Sequence, residues 1–447
     1  MSLPNSVKSA GPVLEVVQAP PAMPARGGPT DPSHDENLRK GILHTDVSRR
    51  VAASMVAFFL LLIYAIPISQ AVLEKVRDEE SVLPGLFREI PTKESLGRLE
   101  DDIEETSYAK EYVQPRVQLL LTGLAREGNE KAVVGRDGYL FYKPGITYLA
   151  SPGFLDPELM GLRELAEGES DEAGVVADPR PAILAFHAML KQRGIRLVLF
   201  PVPDKAMLQP RELHGRIDAA SPVAQSRDWD RLVEELRRKG VLVFEPSPRQ
   251  VAPGDAPRFL VQDTHWAPAW MESVAAELAV FLSRHVQLVK PADDPRYSRQ
   301  SVQASRVGDI VDMLKLPEDQ ALFRPQDVRI SQVVDGSGNV FEPSAEAEVL
   351  LLGDSFTNIF TEEFMGWGSA AGLAPQLAFE LGRRIDVIAQ NDSGAFATRA
   401  ALALELEQGT PRLDGKKVVV WEFAARELAV GNWKHIDWEK AMKGTGP

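Results

Sequence analysis

Two short stretches hold residue types able to do chemistry together. "LVQDTHWAP", residues 260–268, places Asp263 and His265 two positions apart. Ninety residues after that histidine, "EVLLLGDSFTN" runs through apolar residues into Gly353, Asp354 and Ser355. A serine hydroxyl is a weak nucleophile at neutral pH and needs an adjacent base. His265 is the candidate base. Asp263 is placed to hold the other ring nitrogen, which sets the tautomer and stabilises the imidazolium. The chain order Asp, His, Ser is no obstacle, because such triads are recognised by geometry. Each half also has a plain structural reading. Asp354 or Ser355 can cap a helix after a strand, and Asp263-Thr264-His265 can be a surface loop capping the helix that starts near Ala267.

To act together these residues need a scaffold, and the pattern between them supplies one. "PAILAFHAMLKQRG" reads as a helix leading into the strand "IRLVLFPV", and "DWDRLVEELRRKG" as a helix leading into "VLVFEP". "APAWMESVAAELAVFLSRH" is a long helical pattern, and "AEVLLLGD" a strand. "APQLAFELGRR" then leads to "IDVIAQ", and "ATRAALALELEQG" to "KKVVVWEF". Short apolar strands alternating with helices predict an α/β fold, a parallel sheet of about five strands with helices on both faces. Sites in such open sheets gather at the carboxyl ends of the strands. "PVPDK", "GDS" and "QNDSG" put polar residues at three of those ends. Residues 291–343 lack the rhythm and read as an insertion or covering layer, while Asp137-Gly138 in "VVGRDGYLFYKPG" signals a hairpin that opens the domain.

The rest of the chain bounds the setting. Its 447 residues suffice for one large domain or two ordinary ones plus tails, and the 44% hydrophobic content for a substantial core. A formal charge of -14 argues against non-specific binding to nucleic acid or anionic lipid. The absence of cysteine excludes disulfides, thiolate metal sites and a cysteine nucleophile. No two of the seven histidines are spaced as H-x-x-x-H, so no helical two-histidine metal site is expected, and no cofactor is called for.

Residues 1–50 read as a disordered cytoplasmic tail, with seven prolines in the first 35 residues. Residues 51–73, opening "VAASMVAFFLLLIYAIPI", carry no charge and are long enough to span a bilayer as a helix. The run exceeds a signal-peptide core, which favours an uncleaved anchor over cleavage after Ala71. Arg39, Lys40, Arg49 and Arg50 before the span, against Lys75, Arg77 and Arg88 after it, lean toward a cytoplasmic N-terminus. Residues 74–130 then read as a helical membrane-proximal stalk, and 131–447 as the catalytic domain.

"GDSF" together with "DTHW" resembles the SGNH hydrolase-like domain of the alginate O-acetyltransferases AlgJ and AlgX. "GRDGYLFY", "VPVPDKAMLQP", "RVGDIVDMLKLP" and "WEFAARELAV" are similar to further segments of that family, in the same order, across roughly residues 133–430. The resemblance implies a flavodoxin-like SGNH fold with Ser355 as nucleophile and His265 and Asp263 as its partners. It further implies a bacterial inner-membrane protein with its domain in the periplasm, an exopolysaccharide acceptor (alginate-like or cellulose), and a membrane-bound O-acyltransferase supplying acetyl groups. The anchor, and a chain that stops soon after "WEFAARELAV" with no room for the carbohydrate-binding module of AlgX, look more like the AlgJ branch. Gly394 and Asn391 are candidates for a second oxyanion donor, and Trp266 for stacking on a sugar ring or for the core. Arg399 and Arg426 are candidates for binding substrate or for helix faces, and Lys205 and Asp204 for a structural ion pair. Two other activities fit the same residues: a carbohydrate acetyl-esterase, and a non-catalytic polysaccharide-binding scaffold.

Overall fold

A computed structural model describes residues 48–79, 92–168, 174–217, 223–247, 256–289, 294–391 and 394–443. The expected N-terminal tail lies outside the described residues up to position 47, as does the part of the stalk at 80–91. The chain divides into two compact units, Met1–Thr106 and Ser107–Pro447.

The first unit contains the helix Arg49–Arg77, capped by the Ser48 hydroxyl, which accepts from the Val51 amide at 3.3 Å. Its apolar window has a mean hydropathy of 2.5, and none of it is buried among the described residues. Phe58, Phe59 and Leu61 stand 60–63% exposed, which water disfavours and hydrocarbon tolerates. By length and composition this helix can cross a membrane. A second helix, Lys93–Thr106, completes the described part of the unit.

The second unit begins with a helical run, Ala109–Val113, Gln114–Leu120 and Leu121–Ala125, whose first and last turns are π-helical. The expected hairpin follows. Strands β1 (Ala132–Val134) and β2 (Leu140–Tyr142) pair antiparallel around Asp137 and Gly138, both at positive φ (53° and 82°), the geometry an Asp-Gly turn favours.

All five expected sheet strands form: β3 (Arg196–Val202), β4 (Leu242–Val243), β7 (Val349–Gly353), β8 (Asp386–Ala389) and β9 (Val418–Ala424). They lie in the order β4-β3-β9-β7-β8, every pair parallel. The helices between them start and stop where the residues dictate. Asp178 caps Pro179–Gln192 by accepting from the Arg180 amide at 2.9 Å, Pro179 fills its first turn, and Gly194 at φ 73° releases the chain into β3. Because helices cover both faces, the central strands are apolar apart from Glu422 in β9: Leu350, Leu351, Leu352, Val419 and Val420 are all fully buried.

The segment that lacked the α/β rhythm is a second hairpin, β5 (Ser298–Arg306) with β6 (Gln326–Val334), in register over nine pairs. It serves as a covering layer: Ile330 and Val333 on β6 enter the core, while β5 stays largely exposed.

This burial pattern separates two substitutions. Leu351→Ala in β7 should destabilise the domain by about 2–5 kcal/mol, as a cavity in a closed core does. Val302→Ala on β5, where the side chain is 37% exposed, should change stability by less than about 0.5 kcal/mol. Denaturant midpoints of the two variants check both values.

Candidate active site

The apolar run of β7 ends at Gly353, and the next four residues form the short helix Ser355–Asn358. A side chain at Gly353 would clash, since a Cβ there would lie 2.2 Å from Thr357 Oγ1, so the turn closes tightly only over glycine. Asp354 caps the helix, its carboxyl accepting from the Phe356 amide and, through the other oxygen, from the Ala424 amide at the end of β9, both at 2.8 Å. The capping reading of the Gly-Asp-Ser stretch therefore holds, and it leaves the serine disengaged. Ser355 is half-buried, and among the described residues neither its amide nor its hydroxyl makes a hydrogen bond.

Residues 259–266 form a tight loop, closed by a bridge between Phe259 and Trp266 and by the Leu260 amide donating to the His265 carbonyl at 3.1 Å. Within it, His265 Nδ1 and Asp263 Oδ1 are 2.6 Å apart, and the His265 amide donates to the same oxygen at 3.1 Å. The other Asp263 oxygen accepts from the Asp309 amide at 3.1 Å and from Trp367 Nε1 at 3.2 Å. Lys205 Nζ donates to the carbonyls of Asp263 (2.7 Å), Leu140 (2.7 Å) and Val261 (3.1 Å), which ties the loop to the first hairpin. Gly308 makes the approach of Asp309 feasible, since a Cβ there would lie 2.3 Å from the Gln262 carbonyl.

The two halves meet: the His265 and Phe356 rings are 4.9 Å apart between centroids. The loop and the turn carrying Ser355 thus share one end of the sheet, as expected for strand carboxyl ends. With Nδ1 engaged by Asp263, the enclosed His265 Nε2 has no partner among the described residues. That nitrogen is the one able to exchange a proton.

Electrostatics reinforce the pair. Burial alone raises a carboxyl, yet the His265 charge and the surrounding donors outweigh it and hold Asp263 below the usual carboxylate range. Burial lowers an imidazole, but the Asp263 charge and hydrogen bond overcome it and leave His265 above 6.5. Asp309 moves the other way, raised to about 6 by burial and then by the Asp263 charge. Its side chain remains 29% exposed, accepting from the Thr264 amide at 2.7 Å and hydroxyl at 2.6 Å. Burial lowers the Lys205 ammonium to about 7 against the pull of Asp263 and Asp309. Ligand atoms of Asp263, His265 and Asp309 lie within 4.8 Å of one another, close enough to surround a cation. Each carboxylate is already met by N–H or O–H donors, so the cluster reads as a hydrogen-bonded array rather than an open ligand set.

Several residues take places other than those expected. Trp266 is fully buried, edge-on to Phe356 and Trp270, so its ring packs the core and cannot stack on a sugar. Arg399 is likewise fully buried, with its guanidinium 4.9 Å from the Trp421 ring and its Nε donating to the Ala395 carbonyl, which removes it from any substrate surface. Asn391 accepts from Asn358 Nδ2 at 2.8 Å and so braces the helix that begins at Ser355. Gly394 opens the helix Gly394–Glu407, and residues 392–393 before it lie outside the described residues. Lys205 and Asp204 are not a pair: the lysine caps carbonyls, and Asp204 binds Arg426 Nη1 at 2.9 Å. Asp309, Trp367 and Glu422 carried no signal of their own in the sequence. Asp309 lay in a segment noted only for its resemblance to a family, and Trp367 follows the turn in an unpatterned stretch.

The parallel sheet and the chemistry gathered at its carboxyl ends define an SGNH hydrolase-like domain. Residues 133–425 match the family described as "SGNH hydrolase-like domain, acetyltransferase AlgX", well over half of the chain, and the chain belongs to that family. It is 25% identical over 367 residues to the probable alginate O-acetylase AlgJ of Pseudomonas aeruginosa, covering 76% of this chain and 84% of that protein. A second AlgJ, from Pseudomonas syringae pv. tomato, is 24% identical over 324 residues, covering 69% and 72%. Among solved structures, the O-acetyltransferase domain of Pseudomonas putida AlgJ aligns with a TM-score of 0.49 at 22% identity, covering 67% of this chain and 93% of that one. Pseudomonas aeruginosa AlgX aligns at 0.48 and 17% identity, covering 72% and 68%.

The charges on the Asp263–His265 pair are open to direct measurement. In proton NMR, His265 should titrate above the ordinary histidine value of about 6.5. In Asp263→Asn the largest opposing charge is lost, leaving only Asp309 against the burial penalty, and the same resonance should titrate lower than in wild type.

Proposed function

We propose that this chain is a membrane-anchored O-acetyltransferase that adds acetyl groups to hydroxyls of an exopolysaccharide, through an acetyl-serine on Ser355. The carrying observation is the buried Asp263–His265 pair, brought against the turn that bears an unengaged serine. Membership of an acetyltransferase family, and relatives named as probable alginate O-acetylases, support the reaction class and point to alginate or a similar polymer as acceptor. The helix Arg49–Arg77 supports anchoring, with the domain on the periplasmic side where a secreted polymer passes. A membrane-bound O-acyltransferase is the proposed acetyl supplier.

In the first half-reaction, Ser355 Oγ attacks the acetyl carbonyl carbon of the donor and its proton passes to His265 Nε2. The tetrahedral intermediate expels the leaving group, which takes that proton. The Ser355 amide supplies one donor to the transient oxyanion. In the second, a sugar hydroxyl gives its proton to His265 and attacks the acetyl carbon, and Ser355 Oγ departs with the proton restored. Asp263 keeps Nδ1 protonated, so Nε2 is the acceptor, and it stabilises the imidazolium in both halves. Enclosure of His265, only 3% exposed, disfavours water as a competing acceptor.

Full-length protein in detergent, given a chromogenic acetyl ester, should release the leaving group and gain one acetyl mass on Ser355. Added alginate oligosaccharides should gain acetyl. Ser355→Ala and His265→Ala should each cut turnover by about 10³-fold or more, and Asp263→Asn by about 10³–10⁴-fold through the wrong tautomer. Full transfer by Ser355→Ala would overturn the mechanism, and release without any acetylated sugar would make the protein an esterase.

The pH profile follows from the pair. His265 must be neutral to accept the serine proton, and Asp263 raises its pKa above 6.5. Activity should therefore fall on the acid side with a midpoint above 6.5, whereas a histidine lacking that carboxylate would lose activity only at lower pH.

A further inference from the structure

The turn that carries Ser355 is stitched to strand β9 by two carboxyl groups that exchange partners. Glu422 Oε2 accepts from the Asp354 amide at 3.0 Å and from the Thr357 hydroxyl at 2.7 Å. In return, the Asp354 carboxyl accepts from the Ala424 amide, two residues past Glu422, and from the Phe356 amide, both at 2.8 Å. Glu422 thus grips the residue before Ser355 and the second residue after it.

The charge cannot sit equally on both acids. Glu422 is fully buried in the middle of β9, and its Oε1 is enclosed with no partner among the described residues. The nearby cation Arg426 is engaged by Asp204 through Nη1 at 2.9 Å. An ionised Glu422 would hold an undonated oxygen beside a second carboxylate, an arrangement that burial penalises heavily. Asp354 has an amide donor on each oxygen and Arg426 nearby, whereas Glu422 Oε1 has no donor among the described residues. Burial, and then the Asp354 charge, push Glu422 well above the usual range.

We propose that Glu422 is a positioning residue that works as a neutral acid: its carboxyl group fixes the Asp354 amide and the Thr357 hydroxyl, and through them the orientation of Ser355. The inference rests on the reading of Ser355 as nucleophile. Neutrality matters because acyl transfer builds negative charge on the acetyl oxygen beside Ser355, which a further charge on Glu422, added to that of Asp354, would oppose.

The test compares wild type, E422Q, E422L and Thr357→Val as full-length proteins in detergent, with Ser355→Ala alongside. E422L leaves the Asp354 amide and Thr357 hydroxyl unpaired, and kcat should fall about 10–100-fold with KM little changed, as for a misplaced reacting group. E422Q presents a neutral oxygen to the same two donors and should restore most of that loss. Should E422L not fold, Thr357→Val carries this arm, with kcat lowered and KM little changed. Full kcat in the folded E422L, or in Thr357→Val where E422L fails, overturns positioning. A folded E422Q as slow as E422L overturns the neutral acid.

Protonation has its own readout, independent of activity. Above about pH 4.3 an unfolded glutamate loses its proton while the folded Glu422 keeps it, so the contribution of Glu422 to wild-type stability falls as pH rises. E422Q lacks that loss, and its melting temperature should gain on wild type between about pH 5 and 8. A gap that does not change with pH would mean Glu422 is ionised in the fold. If Ser355→Ala keeps full activity, the nucleophile reading and the positioning role fall together, while the melting comparison still decides the charge of Glu422.

Discussion

Everything at this site depends on one buried contact, the 2.6 Å hydrogen bond between Asp263 and His265. Both side chains are at most 3% exposed, so the carboxylate has lost water and must find donors within the fold. It finds four: His265 Nδ1, the amides of His265 and Asp309, and Trp367 Nε1. Removing one partner of such a pair leaves an uncompensated buried charge, at a cost of about 3–5 kcal/mol. Exposed pairs such as Lys440 with Glu407 are worth about 0–1 kcal/mol, and the architecture does not lean on them.

Those donors come from remote parts of the chain, which explains the covering elements. The Asp309 amide is delivered by the segment after β5, at a closeness only Gly308 permits, and Trp367 by the stretch after the Ser355 turn. Lys205, at the end of β3, uses its ammonium on three carbonyls and so pins the loop and the first hairpin together. The hairpin, the β5–β6 layer and the loop after β3 are thus supports for a single carboxylate.

The sheet supplies the rest by its strand order. β9, the last strand in sequence, lies between β3 and β7 and brings Glu422, Ala424 and Arg426 beside the ends of both neighbours. Asp204 after β3 then meets Arg426, and Asp354 after β7 meets Glu422 and Ala424. In the proposed reaction the outcome is a serine turn held rigid by buried polar groups, with a base whose enclosure favours a bound sugar hydroxyl over water.

Much of this was legible in the sequence, because it depends on short-range rules. Strand and helix periodicity, the Asp137-Gly138 turn and the five parallel strands follow from side-chain pattern and backbone preference. So does the pairing within Asp263-Thr264-His265, since two residues of separation in a tight loop suffice. Choices between distant partners were not legible. Trp266 reads equally well as a sugar platform or a core residue until Phe356 and Trp270 close around it. Arg399 reads as a substrate contact until its helix turns it onto Trp421. Trp367 donates across 104 residues, Asp309 across 46 and Asp354 to Glu422 across 68, and no local pattern encodes such distances. The sequence by itself determined the five parallel strands and the pairing of Asp263 with His265; only the tertiary structure decided which distant buried polar groups satisfy one another, because that depends on which strands lie side by side.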